Sequence, residues 1–175
     1  MGEPDEAWSQ MLEDALAAAR QAGRHDVADY LDLRSRNDAL RRAGLQWLLD
    51  RLISAASEAG RDLPAMTIDR EEPHKFEHQG AKLAGTLLKM AHGVRCLTVE
   101  AGWTRTPEDG FMRGGGLAIG RLTHFGMARS NADLFLKPTA ESPGWYAAYP
   151  DGKLVPVDES FLQRQVEIFL GLGPA

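Results

Sequence analysis

Apolar residues in the first 63 positions recur every three or four residues, which is the spacing of one helix face. Gly23 interrupts this pattern, and Asn37-Asp38 could cap a restart, so either two or three helices are predicted. A broad apolar stripe, Leu40–Ile53, follows, and Gly60 is placed to end its helix in the left-handed conformation. A helical part is therefore predicted at the amino-terminal end.

Between residues 64 and 157 the apolar positions form short strand-like runs. Lys82–Met90, Val94–Ala101 and Leu117–Phe125 are joined by connections too short for crossover helices, so they must pair antiparallel as a meander. Further short runs are Ala65–Asp69, Asp133–Pro138, Trp145–Tyr149 and Lys153–Val157. An antiparallel meander of five to seven strands is predicted, with the charged, proline-containing stretch up to His78 as a polar loop before its first long strand.

Residues 158–171 predict one carboxy-terminal helix. Asp158 is suited to cap its start, and Gly171 is suited to stop it. Its apolar face would pack on the sheet. Helices, then strands, then a helix is the order typical of the α+β class, and residues 1–175 are expected to form a single domain.

Composition narrows the class of protein. No apolar run approaches the roughly 20 residues of a membrane span, and the amino terminus is acidic, so a soluble cytoplasmic protein without membrane association is expected. The single Cys96 agrees with a reducing compartment. A net charge of −5 makes nucleic acid an unlikely partner, although residues 82–137 carry eight basic and four acidic groups and leave an anion contact open.

One motif suggests metal chemistry. His74, Glu77 and His78 match H-x-x-E-H, in which two histidines one helical turn apart hold zinc and the glutamate acts as base. A third ligand would come from Glu100, His124 or His92, and a zinc-dependent hydrolase is the alternative function. Pro73 and Gly80 leave little room for the helix that this motif needs, so the expected protein has neither cofactor nor catalytic residue.

Aromatic and cationic residues collect in the connections of the meander, especially in the glycine-rich loop, Trp103–Gly116. Such residues dominate the energetic centres of interfaces. The candidate binding residues are Trp103, Arg105, Phe111, Arg113, Arg121, Trp145 and Tyr146. In the other interpretation, Trp103 and Trp145 fill the ends of the sheet core. Arg121 is also the natural partner for Glu100 on the neighbouring strand.

The residues thus favour a non-enzymatic binding module that engages a protein or an extended ligand through the meander and the glycine-rich loop. A homodimer is a further possibility, because the stripe Leu40–Ile53 is wider than a helix packed on one neighbour needs.

Overall fold

A computed structural model describes residues 3–113 and 116–173. Within these ranges the helices are α1 (Glu3–Gln21), α2 (His25–Ala59) and α3 (Glu159–Leu170). The strands are β1 (Met66–His78), β2 (Ala81–His92), β3 (Arg95–Trp103), β4 (Ala118–His124), β5 (Ala132–Lys137), β6 (Gly144–Ala148) and β7 (Leu154–Pro156). They form one antiparallel sheet in the order β1 to β7, so the predicted α+β class and its layout are confirmed.

The helical part has two helices in its described portion. Gly23, with φ +69°, separates α1 from α2, whereas α2 runs through Asn37-Asp38 without a break. The expected left-handed end at Gly60 is wrong, since its φ is −89°. The chain instead makes one more right-handed turn there, in which the Leu63 N–H donates to the Gly60 carbonyl at 3.0 Å. No helix in the described residues is long and apolar enough to cross a bilayer.

β1 is much longer than predicted. The sequence pattern predicts a polar loop for the stretch through His78, but this stretch is the second half of the edge strand β1. Pro73 is tolerated because the register shifts between Glu71 and His74, a bulge at which an edge strand loses no ladder hydrogen bond.

The two faces of the sheet have different roles. Leu97, Val99 and Ala101 point towards α2 and α3 and are buried with them in the main core. Trp145 joins the layers, because its indole N–H donates to the Gly44 carbonyl at 2.9 Å. We call this side the covered face.

The opposite side, the concave face, carries the side chains that alternate with those of the core. Its residues include His74, Phe76, His78, Leu83, Glu100, Ile119, Arg121, Phe135 and Tyr146. Phe76 and Phe135 pack with Leu83 and Ile119 in a small second cluster. Strands are about 4.8 Å apart, so β1 and β4 would lie roughly 14 Å apart in a flat sheet. Contacts between their side chains show that the end of the β1–β2 hairpin curls across this face.

Candidate functional site

The concave face holds a chain of four polar side chains from three strands. His74 Nε2 on β1 lies 3.0 Å from Glu100 Oε2 on β3. Arg121 Nη1 on β4 donates to Glu100 Oε1 at 3.3 Å, and its Nη2 lies 3.3 Å from His78 Nδ1. We call His74, His78, Glu100 and Arg121 the polar cluster.

The register of the sheet explains how the polar cluster forms. Glu100 and Arg121 are direct cross-strand partners, which confirms the predicted pair. His74 is paired with Gly85, which is paired with Gly102, and neither glycine has a side chain to fill the face between β1 and Glu100. The imidazole can therefore lean across β2 to reach the carboxylate.

The contacts also set where the protons lie. A carboxylate only accepts, so His74 Nε2 carries the hydrogen towards Glu100. Arg121 only donates, so His78 accepts at Nδ1 and in its neutral form carries its hydrogen on Nε2. His78 is buried, and its Nε2 has no hydrogen-bond partner among the residues that the structure describes. The cluster therefore contains a buried donor that is left unpaired.

Exposure differs along the polar cluster. The His74 ring stacks on Phe76, with centroids 5.6 Å apart, and its side chain is mostly buried. Arg121 keeps 41% of its side chain accessible, although Glu100 and His78 hold two of its nitrogens. A guanidinium that is both oriented and accessible is suited to a polar group of a ligand.

The zinc pattern does not assemble in the described residues. Successive residues of a strand point to opposite faces, so Glu77 lies on the other side of the sheet from His74 and His78. Four residues of strand also hold the two histidines roughly 13 Å apart along β1, instead of one helical turn. Within the described ranges no three His, Cys, Asp or Glu side chains are arranged to hold a metal ion.

His124 and His92, two of the suggested third ligands, also lie away from the polar cluster. His124 is buried on the covered face, where its Nε2 lies 3.0 Å from Gln165 Oε1 of α3. Burial lowers the pKa of His124 below its ordinary value of 6.5, and the hydrogen bond with Gln165 partly opposes that effect. His92 ends β2 on that same face.

The two tryptophans among the predicted binding residues are core residues. Trp103 and Trp145 are almost fully buried in the main core, as in the interpretation where both fill the ends of the sheet. Arg105 lies with its guanidinium 4.0 Å above the Trp103 ring and donates from Nη2 to the Ala84 carbonyl at 3.2 Å. These three side chains stabilise the fold in this structure.

The glycine-rich loop begins in an ordered turn, Pro107–Asp109. The Asp109 carboxylate accepts from the Thr106 N–H at 2.9 Å and from the Arg105 N–H at 3.0 Å. These hydrogen bonds hold the pKa of Asp109 below its ordinary value. The turn therefore fixes where the following loop residues leave the sheet.

Beyond that turn the loop divides into packed and exposed residues. Met112 packs against the second cluster of the concave face, whereas Phe111 is 90% exposed and Arg113 is also exposed. Gly114 and Gly115 lie outside the described residues. Tyr146, on β6, is half-buried on the concave face. Among the predicted binding residues, Phe111 and Arg113 are exposed and Arg105, Arg121 and Tyr146 are partly exposed, whereas Trp103 and Trp145 are buried.

Sequence reasoning missed Phe76 and Phe135 as residues of this site. Both lie on the same face as predicted site residues. Phe76 is two positions from His74 on β1, and Phe135 on β5 is the cross-strand partner of Tyr146. Strand alternation would have indicated Phe76 if β1 had been extended past Pro73. The signal was hidden by the proline, which usually ends a strand.

Two clefts lie away from the concave face. One, of about 440 Å³, is between α2 and α3. The other, of about 880 Å³, lies beside β7 and α3. The second contains Arg129, Lys153 and Arg164 together with Asp151, Asp158 and Glu167. Its mixed charges do not define a surface of one sign.

Comparison of the chain with protein-family models, with curated proteins and with solved structures gave no match. The interpretation of the site therefore depends on its own geometry.

Proposed function

We propose that the protein is a non-enzymatic cytoplasmic binding module that holds another protein, through an extended segment, on the concave face and the glycine-rich loop. One observation carries the proposal: the face of the sheet away from the helices bears oriented charged groups and half-buried aromatic rings, with the exposed Phe111 beside them.

The residue types of this face support binding. Arginine and aromatic side chains contribute most of the energy in protein interfaces, because they bury large areas and still make directed polar contacts. Arg121 is held by Glu100 and His78 before any ligand arrives, so little side-chain entropy is lost when it binds. An extended segment could follow the curvature between the glycine-rich loop and Tyr146.

A cytoplasmic location is part of the proposal. Its support is the free thiol of Cys96, which a reducing compartment would keep unpaired.

Phe111→Ala and Arg121→Ala test this function. Each variant should capture the same partner from lysate at least about tenfold less efficiently than the parent protein, since a truncated interface centre costs 2 kcal/mol or more, by order of magnitude. Captured proteins should be identified by quantitative mass spectrometry. The melting temperature of Phe111→Ala should be unchanged, because its ring is exposed in the free protein.

Val94→Ala is the matched control, because Val94 is an exposed apolar residue in the β2–β3 turn, away from the glycine-rich loop. It should capture the partner like the parent protein. If all three variants retain the same proteins, the proposed face is not the binding surface. Trp103→Ala cannot serve here, because removing a buried indole would destabilise the fold itself.

A further inference from the structure

We propose that two copies of the chain associate through the outward side of α2, as an antiparallel pair of helices with Leu40 at the two-fold axis. Three large apolar residues carry the proposal. Leu33, Leu40 and Trp47 are 58%, 39% and 36% exposed and are spaced seven residues apart. Seven residues are close to two helical turns, so the three side chains lie along one line. We call them the outward stripe.

The outward stripe is distinct from the packed side of α2. Leu45, Leu48, Leu49 and Leu52 are buried in the main core. Nearer the amino end, Asp38 is buried where Trp8 of α1 donates to its Oδ2 at 3.2 Å. The predicted stripe Leu40–Ile53 thus divides into a buried part and a partly exposed edge. Leu40 and Trp47 form that edge, on either side of Gly44, where an added Cβ atom would lie 2.6 Å from Leu136 of β5.

A second copy fits the outward stripe by both size and charge. With Leu40 at the axis, Leu33 packs against the partner subunit's Trp47, and Trp47 against the partner subunit's Leu33. The same register sets Asp29 opposite the partner subunit's Arg51, because positions equally far from Leu40 meet. Both residues are exposed. A parallel pair in register would instead oppose like charges at both positions, so charge selects the antiparallel orientation.

The length of α2 allows such a pairing. The stretch from Asp29 to Arg51 covers 22 residue steps, or about 33 Å at 1.5 Å per residue. One helix pair of this length buries less than the 1,200–2,000 Å² of a standard interface, so association is expected at roughly micromolar or weaker affinity. Arg51 also forms an ion pair with Glu159, at 2.9 Å, and both partners are exposed.

This association goes beyond the proposed function and does not depend on it. The outward stripe belongs to α2, which packs on the covered face, whereas the concave face is the other side of the sheet, so both surfaces could be occupied together. Phe111→Ala should leave self-association unchanged, which separates the two proposals experimentally.

Sedimentation velocity over about 1 to 300 μM protein tests the stripe. The parent protein should shift from monomer to dimer as its concentration rises. Leu40→Glu places two carboxylates at the axis and should raise the dissociation constant at least tenfold. Leu154→Glu is the control, because Leu154 is an exposed leucine on β7, away from α2. A parent protein that stays monomeric throughout, or Leu40→Glu dimerising like the parent, would overturn the proposal.

Charge exchange tests the orientation. Asp29→Arg alone and Arg51→Asp alone each bring like charges together and should associate more weakly than the parent protein. Mixing the two variants should restore dimers, because each mixed dimer contains both opposite-charge contacts again. A folding defect cannot produce this recovery, since the mixture contains the same chains. A mixed parallel pair would also oppose Arg to Asp, so the orientation is tested by the Asp29→Arg/Arg51→Asp double variant, which opposes unlike charges only when the helices are antiparallel and should then dimerise like the parent protein. A mixture that associates no better than its components, or a double variant that associates no better than the single variants, would refute the antiparallel register.

Discussion

His124 is held by a network that determines which of its ring nitrogens donates to Gln165. The Gln165 amide N–H donates to the Tyr149 hydroxyl at 3.2 Å, so its Oε1 faces the imidazole. His124 therefore donates from Nε2. Charging this buried ring would place a cation in the main core, and for this reason its pKa is lowered.

Stability should fall as the solution becomes acidic, in part because of His124. The pKa of His124 is lower in the folded than in the unfolded state, so below about pH 6.5 the unfolded chain binds more protons than the folded protein. The free energy of unfolding should therefore fall by at most about 1.4 kcal/mol for each further pH unit, until the pH reaches the folded-state pKa. Urea unfolding between about pH 5 and pH 7.5 measures this effect. His124→Gln keeps a neutral donor and should show a shallower loss of stability at acidic pH. Equal slopes for both proteins would contradict the assignment.

At the residue scale, the polar cluster was only partly predictable. The pairing of Glu100 with Arg121 followed from two adjacent strands and complementary charges. His74 and His78 match a metal motif in the sequence, but in the structure His74 contacts the Glu100 carboxylate and His78 contacts the Arg121 guanidinium. Their convergence depends on a bulge and on sheet curvature, and neither is encoded by the spacing of the two histidines.

At the scale of the elements, glycines allow the bend that brings β1 across the concave face. A Cβ atom on Gly85 would lie 1.9 Å from the Ala101 carbonyl oxygen, and one on Gly102 would lie 2.4 Å from the Ala84 carbonyl oxygen. The backbones of β2 and β3 therefore approach too closely for any side chain there. The two glycines are cross-strand partners, and the same row of partners continues to His74 on β1 and to Ile119 on β4.

Gly85→Ala should lower the free energy of unfolding by more than about 3 kcal/mol, because the new methyl group meets a backbone carbonyl that can move only with its strand. Denaturant unfolding gives the value. Gly144→Ala is the matched control in β6, where the nearest atoms to a new Cβ are at 3.7 Å, an ordinary contact distance. It should change stability by less than about 1 kcal/mol. Similar losses in both variants would refute the close-approach explanation.

At the scale of the whole molecule, α2 separates an interior from an exterior. Its inward leucines pack against the sheet and α3, while the three residues of the outward stripe remain 36–58% exposed. Leucines on the inward side of α2 therefore contribute to the stability of the fold, whereas Leu40 is available for association with a second copy.

Leu52→Ala should destabilise the protein by about 2–5 kcal/mol, because it leaves a cavity in a fully packed region. Leu40→Ala, on the outward side, should cost less than about 1 kcal/mol when measured at a protein concentration low enough to keep the chain monomeric. Thermal or urea unfolding of both variants provides the comparison. Comparable losses would mean that the outward stripe is buried within the folded monomer.

Local sequence patterns were enough to predict the order of the elements and several of their ends. Asp158 caps α3 by accepting from the Phe161 N–H at 2.8 Å, and Gly171 ends it with φ +73°. These features depend on residues close together in the chain, where spacing and local hydrogen bonding decide the conformation. The meander was predictable for the same reason, since short connections allow only antiparallel neighbours.

Which of these residues form a surface depends on long-range packing in the folded chain. It buried Trp103 and Trp145, left Phe111 and the outward stripe exposed, and brought His74 and His78 to Glu100 and Arg121. Burial and convergence depend on how far the sheet bends and which side the helices cover. Both are set by packing between distant parts of the chain, and this packing cannot be read from the spacing of neighbouring residues.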